Sequence, residues 1–171
     1  ICTNKFYQWL IYLKKFYWKI AVCSLFGFFV LYFFETNAYG YEKVSVVVFL
    51  LLGTATITTF ILSALLQKHK IRIYEIASCI LALIGLGLIF GMQDIHGIQL
   101  QGLILAIIAG FGYGVFITIS PIFNIGSGLI VVNSLLLFGT LYLFIPVFYM
   151  RLSIPTLNSL PLLLLLSLLP T

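Results

Sequence analysis

Residues 43–92 read KVSVVVFLLLGTATITTFILSALLQKHKIRIYEIASCILALIGLGLIFGM. Two apolar runs, each near the roughly 20 residues that a helix needs to cross a bilayer, are divided by the basic junction Gln67-Lys68-His69-Lys70-Ile71-Arg72. Inside lipid a backbone must satisfy its own hydrogen bonds, so each run is expected to be a spanning helix and the junction a return at the membrane surface. Working outward in windows of the same size gives six apolar segments, at about 18–39, 43–66, 71–92, 100–120, 127–150 and 156 onward. The stops between them are Tyr39-Gly40-Tyr41-Glu42-Lys43, the basic junction, Gln93-Asp94-Ile95-His96-Gly97, Ser120-Pro121, and Arg151-Leu152-Ser153-Ile154-Pro155. All are short, so consecutive helices are antiparallel. The fold class is all-α, a polytopic transmembrane helix bundle.

Composition agrees. Of 171 residues, 63% are hydrophobic and 8% charged, against about 25% charged in an ordinary soluble domain. The net charge of +5 does not point to nucleic acid, because the basic residues fall in connections, where headgroups and orientation account for them. Cys2, Cys23 and Cys79 lack metal-ligand spacing, and the last two sit in apolar runs as small hydrophobes. No signal peptide is expected, since the first apolar run follows Lys14-Lys15-Phe16-Tyr17-Trp18-Lys19 and no small-residue cleavage site succeeds it. The chain begins with Ile1 and its last apolar run is unfinished at Thr171, which reads as a fragment.

Basic loops are retained on the cytoplasmic side. Lys5, Lys14, Lys15 and Lys19 precede the first span and Lys68, Lys70 and Arg72 follow the second, whereas only Lys43 and Arg151 fall on the opposite face. The first and third spans therefore run from inside to outside. Small residues mark where helices approach closely in lipid. Gly87 and Gly91 are one turn apart, and Ala106, Gly110 and Gly114 form a second row with Gly112 nearby. The run Gly110-Phe111-Gly112-Tyr113-Gly114 has the look of a phosphate-binding loop, but it lies in an apolar helix and follows no strand, so helix packing is the reading adopted.

Two stretches carry a family resemblance. Phe49–Gly91, with LLLGTATITTFILSALLQKHKIRIYEIASCILALIGLGLIFG, and Gly102–Phe123, GLILAIIAGFGYGVFITISPIF, look like the EamA type of the drug/metabolite transporter superfamily. The first resembles that family's fourth and fifth helices with their basic junction, and the second resembles the opening helix of its second repeat. The resemblance implies helices three to eight of a ten-helix carrier built from two inverted repeats. Residues 1–97 would be the C-terminal part of the first repeat and 98–171 the N-terminal part of the second. An inverted pair of repeats is a common plan for alternating access. The family usually has a proline in helix four, where this chain has Gly53-Thr54-Ala55-Thr56, and a glutamate where it has Gln67-Lys68-His69. No role attached to that glutamate carries over.

Candidate substrate-binding or coupling residues are Glu35, Asn37, Thr56, Tyr113 and Asn133. Glu35 lies roughly 24 Å from Lys19 along a helix rising 1.5 Å per residue, inside a core of about 30 Å. A carboxylate at that depth normally faces a polar cavity or a partner, and suits proton coupling or a cationic substrate. The other reading ends the helix early, with Glu35 already among the headgroups beside Glu42 and Lys43. Asn133 stands out because an amide cannot satisfy all its donors and acceptors from its own helix. Most threonines, by contrast, can bond their own backbone. Tyr113 would offer an aromatic wall. Pro146, Pro161 and Pro170 interrupt backbone bonding within apolar runs without indicating a function. Trp9, Tyr17, Trp18, Tyr39, Tyr41, Tyr142 and Tyr149 are read as interfacial anchors.

No enzyme is expected. The sequence has no HExxH or GxSxG motif and no paired intramembrane carboxylates, and His69 and His96 fall on opposite faces. No cofactor and no metal are expected. The expected partners are the lipid bilayer and a small-molecule substrate, without nucleic acid, and a homodimer is one assembly the chain could form. The sequence reading is a multi-pass carrier of a bacterial plasma membrane that exports or exchanges a small metabolite. A sugar uptake carrier of a related family and a non-transporting scaffold or subunit stand as alternatives. A polar cavity would favour a carrier, and a tightly filled bundle the scaffold.

Overall fold

The computed structural model describes residues 2–66, 73–91, 99–126 and 128–149, all helix and short connections. The sixth expected span, His69 and His96, Lys68, Lys70, Arg72 and Arg151, and Pro161 and Pro170 lie outside the described residues. Helix α1 (Cys2–Ser24) passes through a π-helical segment (Leu25–Val30) into α2 (Leu31–Ala38). Then come α3 (Val44–Leu66), α4 (Ile73–Gly91), α5 (Leu100–Ile122) and α6 (Leu129–Tyr149). Four helical stretches are long and apolar enough to cross a membrane: Ile11–Ala38, Val44–Leu66, Leu100–Ile122 and Leu129–Phe148.

Three boundaries differ from the sequence reading for identifiable reasons. The first helix starts well before residue 18, because lysine is a good helix former and its charge need not break a helix when the stem lies on aromatic surface. Lys15 Nζ lies 5.4 Å and Lys19 Nζ 5.6 Å from the Phe16 ring centroid. Helix α5 runs past Ser120-Pro121 to Ile122, since a proline in the last turn removes only one hydrogen bond. It stops instead at Phe123, where Asn124 takes φ 48° and Gly126 and Gly128 take φ 81° and 105°, the left-handed backbone that ends helices. Helix α6 accordingly begins at Leu129 rather than 127.

The bundle is organised around α5. Helix α3 runs parallel to it. Ala106 clusters with Val47, Gly110 lies against Leu51 and Thr54, and Gly114 lies against Ala55 and Thr58. On another side, α1 and α2 run antiparallel to α5, with Lys19 at Phe123, Gly27 at the Phe116 ring, Val30 at Gly112 and Ala38 beside Ala106. The strongest seams thus join helices that are not consecutive in the chain. Helix α6 lies alongside α1 and the π segment. Ser24 Oγ donates to the Leu135 carbonyl at 2.8 Å, Phe28 fills the space beside Gly139, and the Phe29 and Tyr142 rings meet edge to face at 6.4 Å. Among the described residues helix α4 leans on α3, with Leu83 Cδ2 3.9 Å from where a Gly53 Cβ would lie.

The row Ala106, Gly110, Gly114 is therefore a packing surface, as the sequence suggests. A Cβ on Gly110 would run into the Leu51 carbonyl oxygen and sit 2.9 Å from Thr54 Cβ, and one on Gly114 would sit 2.7 Å from Thr58 Cβ. Gly87 behaves differently: nothing lies within 4 Å of its Cβ position. The expected close approach at Gly87 is not made among the described residues.

Candidate functional site

Both ends of α5 are met by charges from elsewhere in the chain. At its start, Gln99 is the N-cap and its side chain makes no capping bond. Its backbone N–H donates to the Glu42 carboxylate, whose Cγ lies 2.5 Å from where a Gly102 Cβ would be. At the far end, Lys19 Nζ donates to the carbonyl of the C-cap Phe123 at 3.0 Å and lies 5.8 Å from the Phe123 ring centroid. A helix carries partial positive charge at its N-terminus and partial negative charge at its C-terminus, so an anion at the first and a cation at the second both stabilise it. The same contacts fix the register of α5 against α1 and α2.

Glu35 belongs to the acidic end. It sits half-buried in α2 and its Oε1 accepts a hydrogen bond from the Tyr39 hydroxyl at 2.5 Å. The residues are four apart, so the bond closes across one helical turn. Tyr39 lies just beyond the apolar stretch that ends at Ala38. Partial burial, then the hydrogen bond to Glu35 and its charge, push the Tyr39 hydroxyl up to about 12. It therefore remains a donor at every physiological pH. Glu35, Tyr39 and Glu42 together form a small acidic, hydroxyl-bearing rim at this end.

The other candidate residues are dispersed. Asn37 Nδ2 donates to the Phe33 carbonyl at 2.6 Å, and Thr56 Oγ1 to the Leu52 carbonyl at 2.8 Å, each within its own helix. Tyr113 is half-buried and stacks on Phe116 at 6.5 Å. Phe116 in turn meets Phe28 edge-on at 6.5 Å, so Tyr113 extends an aromatic cluster between α5 and the π segment. Asn133 is exposed on α6. Among the described residues no hydrogen bond joins any two of Glu35, Asn37, Thr56, Tyr113 and Asn133.

The hydroxyls inside the spans turn mainly to backbone. Thr118 Oγ1 and Thr59 Oγ1 both donate to the Gly114 carbonyl, at 2.9 and 3.4 Å, the first within α5 and the second across the seam from α3. Ser134 Oγ donates to Ile130 and Thr140 Oγ1 to Leu136. Among the described residues no three His, Cys, Asp or Glu side chains stand close enough to hold a metal ion. The sequence reading passed over Glu42 and Tyr39 as surface residues and Lys19 as an orientation signal. Each acts across a separation in sequence or space that a linear reading does not register, although the Glu35/Tyr39 spacing of four was visible. No protein family, curated protein or solved structure matches the chain.

Proposed function

We propose that the chain is part of a carrier that exports or exchanges a small metabolite across a bacterial plasma membrane by alternating access, in an inverted-repeat bundle of the EamA kind. The observation that carries this reading is Glu35, a half-buried carboxylate in the apolar stretch Ile11–Ala38, with a hydroxyl donor from Tyr39. An ionisable side chain in such a stretch is costly unless it serves binding or coupling. Glu35 would exchange a proton or bind a cationic group, and Tyr39 would hold its carboxylate in one orientation. The substrate would be a small polar molecule, and no covalent chemistry or cofactor is invoked.

A specific observation favours a second reading, a scaffold or subunit without transport. Asn37, Thr56, Thr118 and Thr140 all direct their polar groups to their own helix backbone, leaving few polar atoms for a solute.

The intact protein in proteoliposomes separates the two. Under the carrier reading, an imposed pH gradient drives solute flux, and Glu35→Gln abolishes the gradient-driven part while leaving insertion unchanged. Flux equal in both proteins would dismiss Glu35 as the coupling group. No flux of any small metabolite in the unaltered protein would favour the scaffold.

A further inference from the structure

The helix that begins at Cys2 and ends at Ala38 is longer than a membrane is thick. At 1.5 Å per residue it spans roughly 55 Å, against a hydrocarbon core of about 30 Å. Counting about 20 residues back from Ala38 reaches Lys19, so the turns preceding Lys19 lie at the level of the headgroups. One face of those turns is occupied. Tyr12, Leu13 and Phe16 pack against a buried cluster that includes Ile20, Ile125 and Leu135, and the Tyr12 hydroxyl donates to the Ile125 carbonyl. These contacts hold the α5–α6 turn against α1 and prevent the helix from rotating.

The face left outward carries Ile11, Lys14, Lys15 and Trp18, at the spacing of one helical stripe. Lys14 and Lys15 are exposed, Ile11 is 52% exposed and Trp18 69%, with Tyr17 beside it at 59%. Two exposed cations with Trp18 and Tyr17 on their bilayer side match the order of a leaflet surface, in which the acyl boundary lies beneath the charged headgroups. Tryptophan rings sit at the headgroup level, lysine stems lie along apolar surface while the ammonium reaches outward, and anionic lipids attract basic residues at that depth.

We propose that the outward face Ile11, Lys14, Lys15 and Trp18 of α1 is a docking surface for the headgroups of anionic phospholipid. The two ammonium groups engage the lipid phosphates, and Trp18, on their bilayer side, enters the acyl boundary, while Ile11 lies on the outer side of the same stripe. The surface enriches anionic lipid beside the end of the bundle where Lys19 closes α5. It stands whether or not the protein is a carrier.

Tryptophan fluorescence of the intact protein tests it. The protein is reconstituted in phosphatidylcholine bilayers containing a fixed minority of lipid brominated in its acyl chains, either phosphatidylglycerol or phosphatidylcholine. The Trp18→Phe variant supplies the signal of every other tryptophan, Trp9 among them, to be subtracted. Brominated phosphatidylglycerol is expected to quench Trp18 more strongly than brominated phosphatidylcholine at the same fraction. Each lysine contributes an enrichment of up to about fivefold at low salt, and the enrichment declines as salt is added. Lys14→Gln with Lys15→Gln should bring the two lipids to equal quenching, with the helical circular dichroism unchanged. Equal quenching in the unaltered protein overturns the proposal, and so does an excess that survives the double substitution.

Discussion

Helices α4 and α5 present the same sequence signal and meet opposite fates. Both are apolar and both carry closely spaced glycines, Gly85 and Gly87 in one and Gly110, Gly112 and Gly114 in the other. In α5 these glycines admit neighbouring helices from two directions: Leu51, Thr54 and Thr58 of α3 approach Gly110 and Gly114, while Val30 of the π segment approaches Gly112. In α4, among the described residues, nothing lies within 4 Å of the Cβ positions of Gly85 and Gly87, and large side chains such as Leu81 and Leu88 are exposed. Lipid tails are as apolar as leucine, so helices in a membrane gain little from hiding apolar surface from each other and depend on close packing and polar contacts. A small-residue row makes close packing available, and the opposing helix decides whether it is used.

That contrast can be broken most directly at Gly110. Gly110→Val places a branched side chain against the Leu51 carbonyl, a backbone atom that cannot step aside, and overpacking of this kind costs about 1–3 kcal/mol. The matching change Gly87→Ala meets open space and should be neutral or stabilising by up to about 1 kcal/mol, from helix propensity alone. Unfolding in mixed micelles with increasing denaturing detergent measures both. Equal losses at the two sites would mean that α4 is as tightly packed as α5.

The next effect concerns what else distinguishes α5, the charges at its ends. Lys19→Met removes the donor to the Phe123 carbonyl while keeping a long apolar stem, with an expected loss of about 1–2 kcal/mol in the same assay. Glu42→Gln keeps an acceptor for the Gln99 N–H but discards the charge, for a smaller loss of about 0.5–1 kcal/mol that shrinks as salt is added. A loss at Glu42 insensitive to salt would show that shape at Gly102, rather than charge, matters there.

The smallest expected effect is spectroscopic. Because the Tyr39 hydroxyl is raised to about 12 from an ordinary value near 10, its contribution to stability is complete below pH 10 and fades as pH rises through 12. Tyr39→Phe should remove one late-titrating phenolate from the ultraviolet titration between those values and leave the earlier ones unchanged. If the late phenolate persists in the variant, the Tyr39 bond to Glu35 is not what holds the proton.

Several features of the fold are legible in the sequence. The stretch 43–66 corresponds to α3 (Val44–Leu66), bracketed by polar residues on both sides, and α4 (Ile73–Gly91) lies within 71–92, although among the described residues α4 is not one of the four stretches long and apolar enough to cross a membrane. The start of the first helix was not legible: Lys14, Lys15 and Lys19 looked like a boundary and proved compatible with helix, Lys15 and Lys19 lying over the Phe16 ring and Lys19 also reaching the Phe123 carbonyl. Of the candidate residues, Glu35 draws notice by its charge against apolar surroundings, and it accepts the Tyr39 hydroxyl in the structure. Its partner Tyr39 resembled an ordinary interfacial ring. For Asn133 the sequence left open whether it faces a cavity, and among the described residues it is exposed on α6, since the period of a helix identifies neighbours along a face but not the direction that face takes.

The sequence by itself determined that the protein is helical and has apolar stretches long enough to cross a membrane, because runs of some 20 apolar residues have few other ways to satisfy their backbone in lipid. It also marked Ala106, Gly110 and Gly114 as a place for close approach. Tertiary structure alone decided that α3, rather than a consecutive helix, fills that row, that Glu42 and Lys19 meet the two ends of α5, and that Gly85 and Gly87 of α4 stay open among the described residues. Pairing between distant segments depends on the fit of whole surfaces and on charges brought together across the bundle. Local composition specifies each surface, and its partner emerges only when the helices are assembled.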